Sequence, residues 1–171
     1  MIFLIGGASH TGKTALAQKM IETYHFPCFS LDHLKMGLIR SDQTSLTPMD
    51  DDKLTDYLWP IVREWIKTAI ENEQNLIIEG CYFPYNWKEQ FEEEYLSQIR
   101  AVFLVMTPHY IESHFEDIKK YASAIENRGE EEGLEKQWVL EENRRCRENC
   151  EKYGCEIIRI DEEYRVEWRP K

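Results

Sequence analysis

The chain has 171 residues, 42% hydrophobic, 31% charged and 12% aromatic, the make-up of one packed globular domain and not of a disordered, collagenous or disulfide-dense chain. Its 21 Lys and Arg against 32 Asp and Glu give a formal charge of −11, which repels a phosphate backbone and disfavours sequence-independent nucleic-acid binding as the main activity. The longest apolar run, Met1 to Ile5, is far too short for a membrane span, and five cysteines without a CxxC pair fit reduced thiols, so a soluble cytoplasmic protein, monomeric or homodimeric, is expected.

Taken in chain order, IFLI is β-branched and aromatic and runs into Gly6-Gly7, after which Leu16, Ala17, Met20, Ile21 and Tyr24 recur at helical spacing. This predicts strand, loop, helix. Residues 26–31 (FPCFSL) predict a second strand, followed by a brief helix over 33–40 and a polar loop, SDQTSLTPMDDD. From Tyr57 to Ile70 apolar pairs return every four residues, a buried helix face, with Pro60 placed in its first turn or at a kink.

Residues 75–79 (NLIIE) predict the third strand, 87–96 a helix and 99–106 (IRAVFLVM) the longest strand. Thr107-Pro108 then opens another helix, because proline suits a first helical position. A charged two-glycine loop, NRGEEEG, precedes a helix over 134–153. Gly154 ends that helix and EIIRI is the last strand. Cys146 and Cys150 share a helix face with Cys155 close behind, so a thiolate metal site is conceivable, although it lacks paired spacing and a fourth ligand. Five strands alternating with helices imply a parallel sheet covered on both faces, with ligands at the carboxyl ends of its strands.

Gly7-Ala8-Ser9-His10-Thr11-Gly12-Lys13-Thr14 is a complete G-x-x-x-x-G-K-T between a predicted strand and a predicted helix, the context in which the pattern forms a phosphate cradle. Glycines 7 and 12 let successive N–H groups turn inward, and the helix N-terminus that begins with Lys13, Thr14 and Ala15 adds about half a positive charge. Lys13 would reach the β- and γ-phosphates and the Thr14 hydroxyl would ligate Mg²⁺. Asp32 follows the second strand, where a solvated helix cap is the simpler reading. Beside a phosphate loop it suits the base of phosphoryl transfer, and Glu79 at the end of an apolar strand suits the metal.

The runs IFLIGGASHTGKT, FSLDHLK and NLIIEG resemble those of the P-loop small-molecule and nucleoside-monophosphate kinases, and the D-x-x-K and IIEG pieces are most similar to uridine kinase and its relatives. The resemblance implies an α/β three-layer sandwich around a five-stranded parallel sheet of order 2-3-1-4-5, with a short lid. It also implies ATP and Mg²⁺ as cofactors, Asp32 as the acceptor's base and Glu79 as the magnesium helper.

It further implies one domain over 1–171, with an acceptor region at 32–74 and a lid at 126–136 whose arginines close over the phosphates. Arg128 is the lid candidate and Arg144 or Arg145 a second one, against the simpler reading of a Glu141–Arg145 helix pair. In the acceptor region, Lys35, Arg40 and Arg63 would neutralise an anionic acceptor, and Tyr82, Phe83 and Tyr85 would give ring or hydroxyl contacts. The expected activity is transfer of the γ-phosphoryl of Mg-ATP to a small molecule, a hydroxyl slightly preferred. A nucleoside-monophosphate kinase and a non-catalytic ATP-binding switch are the alternatives.

Overall fold

Side chains alternate across a strand, and in the opening strand β1 (Ile2–Gly7) both faces are apolar: Ile2 and Leu4 join one core, Phe3 and Ile5 the other. A strand hydrophobic on both sides must lie at the centre of a covered parallel sheet. The structure, a computed structural model, describes residues 1–121 and 134–170. It places β1 between β3 (Leu76–Glu79) and β4 (Ile99–Met106), with β2 (Cys28–Ser30) and β5 (Ile157–Ile160) at the edges. The order is β2-β3-β1-β4-β5 and every pairing is parallel, as the resemblance implies.

On one face α3 (Asp51–Glu71) lays Leu54, Leu58, Val62 and Ile66 against Ile2, Leu4 and Ile78, and Cys146 and Cys150 of α6 (Lys136–Tyr153) join the same core. On the other face α1 (Lys13–Tyr24) and α5 (Pro108–Tyr121) contribute Leu16, Met20, Ile111 and Ile118, together with Val166 and Trp168 from the last segment. Each such side chain taken from water stabilises the fold by about 1.5–3 kcal/mol. No helix among the described residues is long and apolar enough to cross a membrane.

Several boundaries differ from the sequence expectation. The helix expected at 33–40 is α2 (Leu31–Arg40), so Asp32 lies inside its first turn and Ser30 occupies the cap position. The loop expected to run to residue 52 ends sooner, because α3 begins at Asp51. Three consecutive aspartates read as loop, yet Asp51 and Asp52 gain from the positive end of the helix dipole, and Leu54 extends the buried face. Pro60 therefore sits in the helix interior instead of its first turn.

The single helix expected at 87–96 is a 3-10 turn (Trp87–Gln90) and a short α4 (Glu93–Leu96), separated at Phe91, whose ring is buried. The charged helix starts at Lys136 and, as read, ends at Gly154, in the left-handed conformation.

Two ties fix β4. Asn143 of α6 is buried, accepts the Met106 N–H at 2.7 Å and donates to the Val139 carbonyl at 2.8 Å. At the other contact Gly7 (φ 130°) lies so close that a Cβ would fall 2.3 Å from the Leu104 carbonyl oxygen. Asn143→Ala leaves the Met106 N–H buried without its acceptor, so urea titration is expected to show a loss of about 1–3 kcal/mol. Gly7→Ala combines that steric overlap with an unfavourable φ, and the same titration is expected to show a loss on the order of 2–4 kcal/mol, or no folded protein.

Candidate active site

The eight residues from Gly7 to Thr14 leave the carboxyl end of β1 and turn into α1. Their backbone needs two unusual conformations besides Gly7: His10 (φ 62°) and Gly12 (φ 82°) are both left-handed. Internal bonds hold the loop. The Ala8 N–H donates to Leu104 O at 3.1 Å, and the Ala8 carbonyl accepts from Thr11 Oγ1 and from Lys13 Nζ, each at 2.8 Å. Thr11 and Lys13 are buried. An ammonium has three donors, so Lys13 can brace Ala8 and still reach a phosphate.

Burial by itself would lower the Lys13 pKa, but Cys81, Glu79 and Asp32 together hold it above its ordinary value. The ammonium thus stays charged although it is buried. Thr14 Oγ1 donates to Glu79 Oε2 at 3.3 Å across the β1–β3 pair, in which Ile5 is opposite Glu79. A hydroxyl and a carboxylate are hard oxygen donors, and magnesium is commonly held by one or two carboxylates plus substrate phosphates. Thr14 and Glu79 fit that pattern. Ala15 stands in the first turn of α1, and the His10 ring meets Trp138 of α6 edge-on at 6.1 Å.

Beside the loop lies a cavity of about 500 Å³, the size of an ordinary small-molecule site. Gly7, Ala8 and Ser9 form one wall, Asp32 and Lys35 of α2 another, and residues 81–86 a third. Lys35 Nζ is 2.6 Å from Asp32 Oδ1 and 2.7 Å from the Tyr82 hydroxyl, which donates onward to Asp51 Oδ1 at 3.2 Å. Burial first, and then the charges of Asp32 and Asp51, push the Tyr82 phenol well above its ordinary pKa, so it remains a hydroxyl.

Of the residues singled out from sequence, Gly7, Ala8 and Ser9 of the loop, Asp32, Lys35, Tyr82, Phe83 and Tyr85, and the second lid candidate Arg145 line this cavity. Arg40 is exposed at the end of α2 and is not part of the lining, while Arg63 pairs with Glu64 at 2.8 Å. Arg128 and nearly all of the expected lid lie outside the described residues. The Glu141–Arg145 pair is replaced by four others. Arg144 bonds Glu141 and Glu148, whereas Arg145 reaches Glu142 and, across to α3, Asp52, each at 3.3 Å. Among the described residues no three His, Cys, Asp or Glu side chains are placed to hold a metal ion, which removes the Cys146–Cys150–Cys155 metal site.

Asp51, Asp52, Thr55 and Asp56 fall within the acceptor region expected at 32–74 but were not singled out from sequence, nor were Glu142 and Asn149 of α6. Sequence reasoning also missed Tyr164, whose hydroxyl is 3.4 Å from the Thr11 carbonyl. The Asp-rich stretch could have been found only by extending the four-residue apolar repeat back through Leu54. Nothing local pointed to Tyr164.

No protein-family model matches the sequence. No curated protein matches it either. Solved structures do. The deoxyadenosine kinase of M. mycoides, solved with dCMP and dCDP, superposes with a TM-score of 0.57 at 14% identity over 98% of this chain and 92% of its own. The shikimate kinase of Bacteroides thetaiotaomicron gives 0.54 at 17% identity over 99% and 90%. A gluconokinase from Sinorhizobium meliloti 1021 gives 0.51 at 15% over 93% and 81%. Together with the loop and the strand order, these likenesses show that the chain has the fold of the P-loop small-molecule and nucleoside-monophosphate kinases.

Proposed function

We propose that the chain is an ATP-dependent kinase that moves the γ-phosphoryl group of Mg-ATP onto a hydroxyl of a small molecule. The observation that carries this reading is that the phosphate loop and Asp32 face one cavity of substrate size. The acceptor oxygen forms a bond to phosphorus as the bond to the ADP oxygen breaks, and the hydroxyl proton passes to Asp32. Catalysis of this kind is mostly positioning and charge neutralisation.

Lys13 stabilises the transferring group, and Lys35, held 2.6 Å from Asp32, positions that carboxylate. Thr14 and Glu79 would hold magnesium, which when bound offsets the charge of the phosphates. Loop residues Gly7 to Thr14 with Ala15 would cradle the nucleotide, and Arg128 would close over it. A phosphate acceptor is already deprotonated and needs free arginines. Among the described residues the cavity has one, Arg145, and it is engaged by Asp52 and Glu142. A hydroxyl acceptor fits better. Free thiols suit a reducing, cytoplasmic setting and the charge of −11 disfavours a nucleic-acid partner; the reading takes the enzyme as a monomer or homodimer with no membrane partner.

Two substitutions test the assignment by acceptor-dependent ADP release. Asp32→Asn keeps shape but removes the proton acceptor, so transfer is expected to fall by about 10²-fold or more while calorimetry finds Mg-nucleotide affinity largely retained. Unchanged turnover would take Asp32 out of the mechanism. Lys13→Ala is expected to abolish transfer, and rates near the parent's would mean that the loop does not grip the phosphates.

A further inference from the structure

The cavity beside the phosphate loop is lopsided in charge. Its walls carry five carboxylates, Asp32, Asp51, Asp52, Asp56 and Glu142, against two cations, Lys35 and Arg145, a formal −3. Both cations are already matched: Lys35 with Asp32, and Arg145 with Asp52 and Glu142. Asp51 and Asp56 have no cationic partner among the described residues. Asp51, Asp52 and Asp56 all belong to the first two turns of α3, and all three line the cavity.

The crowding is felt within the wall. Burial pushes the Glu142 carboxyl above its ordinary pKa; Arg145 pulls it down, and Asp51 and Asp52 add to the rise. A group that relieved this repulsion would gain free energy on binding, and an anionic one would add to it. The carboxylates are not gathered for a metal ion, because no three of them converge closely enough to hold one. They are spread along a cavity of about 500 Å³, as suits an organic cation with its charge some distance from its reacting end.

From this charge pattern, and resting on the kinase reading above, we infer that the acceptor is a hydroxylated amine or guanidinium compound, its hydroxyl directed to Asp32 and its cationic group to Asp51 and Asp56. Asp51 and Asp56 are exposed at the rim, where fixed negative charge also raises the encounter rate of a cation. Tyr82, which donates to Asp51, couples the cation end of the cavity to Lys35 and so to Asp32.

The test is calorimetry on the full chain saturated with Mg²⁺ and a non-hydrolysable ATP analogue. Probes form charge-matched sets: glucosamine, N-acetylglucosamine and gluconate, then kanamycin and its N-acetylated form. The amines are expected to bind about ten-fold or more tightly than their neutral and anionic counterparts. Asp51→Asn with Asp56→Asn is expected to erase that preference while leaving affinity for the ATP analogue unchanged, and Asp56→Lys alone to reverse it.

Tightest binding by gluconate, a preference that survives the double substitution, or no amine binding at millimolar concentration overturns the inference. The kinase reading fails separately. Loss of binding to the ATP analogue with the amine preference intact counts against that reading and leaves the charge assignment standing.

Discussion

The site depends on the approach of two backbones. Where β1 ends, Gly7 lies against Leu104 of β4 with no room for a side chain, and the next residue, Ala8, donates its N–H to the Leu104 carbonyl. That bond anchors the loop to the middle of the sheet. Once Ala8 is fixed, its own carbonyl can collect Thr11 and Lys13, and α1 starts in the direction that aims its N-terminus into the loop. A side chain at position 7 would separate the strands and release every later contact.

The same anchoring resolves an apparent conflict of charge. A protein of formal charge −11 has no general attraction for a triphosphate. On the proposed kinase reading, attraction would be local, supplied by the loop's backbone N–H groups, a helix N-terminus and one buried ammonium. Glu79 and Asp32 belong to this arrangement. They keep Lys13 charged against the cost of burial, and the first stands within reach of Thr14 while the second faces the acceptor cavity.

Away from the loop the charge reverses. The cavity proposed for the acceptor is walled in part by the start of α3 and the middle of α6, which meet through Asp52 and Arg145. The loop end has the Lys13 ammonium and the α1 N-terminus beside Asp32 and Glu79, and the far end of the cavity is lined mainly by carboxylates. Two ligands of opposite charge could then be sorted to their own ends of one cleft, a division that the total charge of the chain conceals.

The loop motif, the alternation of strands with helices and the resemblance were legible in the sequence because each is local: a contiguous eight-residue pattern, short β-branched apolar runs, an apolar period near four. For the same reason the positions of Lys13 and Thr14 at the start of α1, of Asp32 just past β2 and of Glu79 at the end of β3 could be anticipated from their own neighbours. Local pattern failed where long-range burial chose the outcome. Asp51 and Asp52 are poor helix formers drawn into α3 because Leu54 and Leu58 bury beneath them. The break at Phe91 follows its ring into the core. The partner of Arg145 lies 93 positions earlier, a pairing that no spacing rule can find. What the residues determined alone was the phosphate cradle and the order of elements. The walls of the acceptor cavity, and hence its charge, were decided only when α3 and α6 packed on the same face of the sheet, since a cavity is made by segments that share no periodicity.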